Sequence, residues 1–82
     1  MKIRKANVHN ENELITNVYI YENKQQEYSL IAIPEIEWST IIPYEEERVV
    51  LKERLSDTLS KRVQQSAAEE LTNKIAHWVG EM

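Results

Sequence analysis

The stretch "HNENE" sets His9, Glu11 and Glu13 at alternate positions, where an extended strand would project them to one side as ligands for a divalent cation. The same spacing is common in polar loops, and a solvated loop is the simpler reading. His77 lies one helical turn from Asn73 and Glu81 with no second histidine at i±4, so the two-histidine zinc pattern is missing. Glu35 and Glu37 sit two apart, and Glu45, Glu46 and Glu47 run together. Paired carboxylates divide acid and base work only when their surroundings push their pKa values apart. The sequence places no pocket or basic partner beside either group, and turn formation and helix-start electrostatics account for both. Ser29, Ser39, Ser56, Ser60 and Ser66 lack a Gly-x-Ser-x-Gly elbow and an evident histidine partner. The residues therefore point to no catalytic set, no metal site and no cofactor.

Composition narrows the classes further. Eighty-two residues suffice for one small domain with a core of marginal size. The chain has no cysteine, so neither disulfides nor thiolate metal sites supplement that core, as expected of a reducing cytoplasm. No apolar run approaches the ~20 residues that span a bilayer. The net charge is −4, and no segment is strongly basic, which argues against nucleic acid as a partner. A cytoplasmic protein is the expectation.

The elements that would position any site are legible from periodicity. The first thirteen residues are polar; Ile3 and Val8 could anchor an edge strand there, and a mobile segment is the open alternative. "LITNVYIYE" and "EYSLIAI" are β-rich runs around the polar break Asn23-Lys24-Gln25-Gln26. A hairpin with Tyr21 opposite Tyr28 and Tyr19 opposite Leu30 puts Val18, Ile20, Ile31 and Ile33 on one face. Tyr19, Tyr21, Tyr28, Leu30 and Ala32 take the other. Pro34 suits a turn rather than a central strand. A tight Pro34-Glu35 turn pairs Ile33 with Ile36 and Ile31 with Trp38, and sends Trp38, Thr40 and Ile42 to the aliphatic face.

After Pro43, the three glutamates complement the positive end of a helix dipole and open a first helix. Leu51, Leu55 and Leu59 recur at i+4 as its apolar stripe. A second helix is expected from Ser66, where Ser66 and Glu69 match a capping box, with Leu71, Ile75, Trp78 and Val79 inward and Gly80 as its stop. The expected class is α+β: a three-stranded antiparallel meander followed by two helices packed on one sheet face, in a single domain over residues 1–82.

In length and in the run "EYSLIAIPEIEWS" followed by an acidic helix, the chain resembles the YueH-like family of short Firmicutes proteins. That resemblance implies a small cytosolic protein and carries over no active-site residues. The layout from Val18 to Leu59 is also similar to the N-terminal domain of HicB-type antitoxins. Ile33-Pro34-Glu35-Ile36 matches that family's turn, and Glu45-Glu46 its helix start. The glycines usual there are absent and no DNA-binding segment follows, so this second resemblance implies a fold and not a role. "IRKANVHNENELITNVY" is similar to the opening of an acetyltransferase of the GNAT type. That fold needs a glycine-rich pyrophosphate loop, which a chain with Gly80 as its one glycine cannot build.

Two function classes stay open. In the first, the face bearing Tyr19, Tyr21, Tyr28 and Leu30 binds a protein partner or a second copy, because the helices need only the aliphatic face. In the second, the same aromatic face stacks a ligand or RNA in a regulator. Trp38 and Trp78 fall on the apolar faces of their elements and read as core.

Overall fold

The strand-like alternation is realised with one strand more than expected. In the computed structural model, which describes residues 1–81, the chain runs β1 (Lys2–Asn10), β2 (Glu13–Asn23), β3 (Tyr28–Ile33), a 3-10 turn (Pro34–Ile36), β4 (Trp38–Pro43), α1 (Arg48–Leu59) and α2 (Gln65–Gly80). The strands form one antiparallel sheet in the order β1-β2-β3-β4. The expected meander of three is thus a meander of four, and residues 2–10 are its edge strand. Ala6 and Val8 supply the reason: both are buried, and strand pairing gives their flanking amides partners.

A bulge shapes that edge. Lys5 pairs with Asn17 and Val8 with Ile15, so Ala6 and Asn7 together oppose Thr16, with Asn7 at φ 52°. The shift lets Ile15 share the buried face with Val18, three positions away. Both hairpin registers differ from expectation by two residues. Tyr21 stands opposite Leu30 and Tyr19 opposite Ala32, because Asn23 Oδ1 accepts from Gln26 N–H at 2.9 Å and moves the four-residue turn on by one, to Lys24–Glu27. Ile33 stands opposite Trp38 and Ile31 opposite Thr40, because Pro34 starts a 3-10 turn instead of a two-residue turn. Glu37 closes it at φ 52°, its N–H donating to Pro34 O at 3.0 Å. A shift of two leaves every side chain on its expected face.

Val8, Ile15, Val18, Ile20, Ile31, Ile33, Trp38 and Ile42 line the covered face. Leu51, Leu55 and Leu59 of α1, and Ala67, Ala68, Leu71 and Ile75 of α2, close over it. α2 packs on α1 and on β1. α1 reaches β4 through Trp38, whose Nε1–H donates to Thr58 Oγ1 at 3.3 Å. Trp78 and Val79 are half-buried against the same core.

Both helix starts correct the sequence reading. Glu47 precedes α1 as its cap, and its first turn holds no acid, so the glutamates are not dipole partners within the helix. α2 begins at Gln65, one residue before Ser66, and no side chain of its own caps it. Asn10 from β1 serves the adjoining backbone, its buried Oδ1 accepting from Gln64 N–H at 2.8 Å. α2 ends at Gly80, as expected, with Glu81 as its cap. Among the described residues, no helix is long and apolar enough to cross a membrane.

Candidate interaction face

With both helices on one side, the opposite face of the sheet is left open. Strand alternation delivers to it Tyr19 and Tyr21 from β2, Tyr28 and Leu30 from β3, and Ala32 beside them. Tyr21 and Leu30 are cross-strand neighbours, and Leu30 in turn faces Ile41 on β4. Ile3 on β1 faces Tyr19. Ile3 and Ile41 extend the expected set and were missed, although simple alternation along "KIRKANV" and "WSTIIP" marks both. Exposure is 56% for Ile3, 41% for Tyr21, 36% for Leu30 and 54% for Ile41, so a continuous apolar band crosses all four strands uncovered. Tyr19 and Tyr28 are half-buried within it, and Asn23 Nδ2–H donates to the Tyr28 hydroxyl at 3.4 Å. A smaller exposed apolar group, Tyr44, Val49 and Val50, lies around the start of α1.

The side chains with chemical potential are engaged elsewhere. Glu35, from the 3-10 turn, accepts from the Thr16 and Asn17 amides at 2.9 and 3.3 Å. These amides lie beyond the end of β3, and the carboxylate replaces the missing strand neighbour. Glu46 does have a basic partner, contrary to expectation. Both of its oxygens accept from Arg54, at 2.9 Å each. That hydrogen bond raises the guanidinium's pKa further, against partial burial. Arg54 also donates to Thr40 Oγ1 at 2.7 Å and to the Ile41 carbonyl at 3.2 Å.

Tyr44 donates its hydroxyl to Glu22 at 2.9 Å. Its pKa is pushed up to about 12, first by desolvation, then by that hydrogen bond and by the charges of Glu22 and Glu27. Glu22, Tyr44 and Glu46 line a cavity of about 230 Å³ at the end of the sheet, with Ser29 and Leu51. Its carboxylates already have Tyr44 and Arg54 as partners. A wider groove of about 760 Å³ between α1 and α2 is open to solvent and lined by Lys52, Glu53, Asp57 and Glu69 among others.

His9 pairs with Leu14 at the first hairpin, whereas Glu13 accepts from Asn10 Nδ2–H at 3.4 Å. Exposed His77 stands 3.6 Å from Glu81. Among the described residues, no three His, Cys, Asp or Glu side chains converge as a metal-binding group. Among the described residues, the geometry offers one extended apolar face.

The YueH-like protein family matches residues 2–81. The chain belongs to that family. The uncharacterised protein YueH of Bacillus subtilis (strain 168) is 49% identical to this YueH-like chain over 82 residues, covering 100% of both. No solved structure matches this YueH-like protein.

Proposed function

We propose that this YueH-like protein is a non-catalytic protein-interaction module of the cytoplasm that engages its partner through the open face of the sheet. The observation that carries this reading is the uncovered band Ile3–Tyr21–Leu30–Ile41 with both helices on the other side. A tyrosine is apolar in its ring and polar at its tip, so Tyr19, Tyr21 and Tyr28 suit a surface dry at its centre and hydrated at its rim. The RNA reading has less support: phosphate binding needs clustered Lys and Arg, and the net charge is −4.

The test is a photo-crosslinking residue placed at Leu30 and, as a control, at exposed Glu70 on α2, with adducts identified by mass spectrometry in the native host. A protein adduct from position 30 and none from position 70 is expected. Tyr21→Asp with Tyr28→Asp should remove that adduct while the protein still melts cooperatively. Adducts from position 70 alone, or nucleic acid at position 30 whose capture collapses as salt rises, would overturn the reading.

A further inference from the structure

We infer that the partner on this face is a second copy of the same chain, stacked sheet against sheet about a two-fold axis running along the strands. The inference rests on the interaction reading above and adds the partner and its geometry.

Both sheet edges are defended against pairing. Tyr44 N–H donates to Glu27 O at 3.0 Å, and hydrogen-bonded pairs recur at every second residue of an antiparallel ladder. Ser39, Ile41 and Pro43 therefore turn their main-chain groups outward on β4. Pro43 has no N–H to offer, and the Ile41 carbonyl is taken by Arg54. On β1, Lys2, Arg4, Lys5 and the bulge at Asn7 do the same service. Charges, proline and bulges are the devices that stop a sheet from extending edge to edge. A second copy is thereby directed to the face.

The face has enough area for a weak dimer. Four strands about 4.8 Å apart and six residues at about 3.3 Å rise give a footprint of roughly 15 by 20 Å. With side-chain relief, this comes to about 500 Å² per copy, or about 1,000 Å² in all, the lower bound for a specific interface.

Charge selects the axis. Ile3, Tyr19, Ala32 and Ser39 form one cross-strand row, and Lys5 on β1 and Glu37 before β4 each lie two residues beyond it in the same direction. Lys5 and Glu37 thus stand at opposite edges of the sheet but at the same end, and both are exposed. A two-fold along the strands lays the β1 edge of each copy over the β4 edge of the other without moving it lengthwise. Lys5 then approaches the partner's Glu37 twice. A two-fold across the strands would carry each Lys5 to the far end instead. Stacked sheets cross at about 30°, so the pairs lie at the rim, where they set orientation more than affinity.

Sedimentation equilibrium of the full chain from about 1 μM to about 1 mM tests this. The mass should rise from 9.7 kDa toward twice that value. Ile41→Lys should stay monomeric; if it dimerises like the parent, the face is wrong for this inference and for the reading beneath it. Lys5→Glu should weaken the dimer about ten-fold by opposing like charges, and adding Glu37→Lys in the same chain should restore it to within about two-fold. A double variant as weak as the single one overturns the axis. These two substitutions involve exposed side chains only, so the pair stays informative if Ile41→Lys does not fold. A parent that is monomeric throughout overturns the second copy, and a Leu30 adduct with a different protein would then leave the interaction reading standing.

Discussion

Arg54 grips Glu46 through two parallel hydrogen bonds of 2.9 Å, Nε to Oε2 and Nη2 to Oε1. The fork ties the loop after β4 to the middle of α1, and the remaining guanidinium nitrogen reaches Thr40 on the sheet. One cation thus joins a loop, a helix and an edge strand. Lysine cannot reproduce this, because its ammonium has no planar fork. The Arg54 side chain is about one-third exposed, so solvent screens part of the attraction. Arg54→Lys should cost about 1 kcal/mol and Arg54→Ala about 2 kcal/mol in urea unfolding, with Glu46→Gln close to the lysine variant. Equal stability of all four proteins would show that the fork holds nothing together.

The caps make opposite demands on two polar residues. Asn10→Ala removes the acceptor for Gln64 N–H and should cost about 1–2 kcal/mol. Ser66 lies within the first turn of α2 and is exposed, so Ser66→Ala should change stability by only a few tenths of a kcal/mol. Hydrogen exchange of residues 64–68 reads both, and faster exchange in the serine variant alone would reverse the assignment.

The core depends on Leu55, which is fully buried in α1, and on Trp38 of β4 in the same cluster. Leu55→Ala and Trp38→Ala should each cost on the order of 3 kcal/mol, a large share of a small domain's stability. Trp38→Phe removes the indole's hydrogen bond to Thr58 but only part of its buried ring, and should cost less. Thermal melts read all three, and an alanine variant that melts like the parent would place its side chain outside the core.

Tyr44 sets an alkaline limit. Its folded pKa of about 12 lies above the ordinary 10.0, so folding favours the neutral phenol. That contribution is complete below pH 10 and disappears as pH rises through about 12. Absorbance titration near 295 nm should show one tyrosine ionising late, and Glu22→Gln should bring it back toward the others. A late tyrosine that persists in Tyr44→Phe would assign the shift to a different residue.

Side-chain alternation is legible in the sequence. Val18, Ile20, Ile31, Ile33, Trp38 and Ile42 face the core and Tyr19, Tyr21, Tyr28 and Leu30 face away, as read from the sequence. The Leu51–Leu55–Leu59 stripe was equally plain. These are local periodicities, and a register error of two residues leaves them intact. What the tertiary structure decided is how each polar group found its partner. Glu35 meets amides 18 and 19 residues away, and Asn10 meets an amide 54 residues away. Glu46 turns back to Arg54 instead of starting a helix. Such pairings follow from which segments lie together after packing, and no repeat along the chain encodes that distance. The first strand was also decided there, since its two buried apolar residues, Ala6 and Val8, count as core once β2 and α2 flank them.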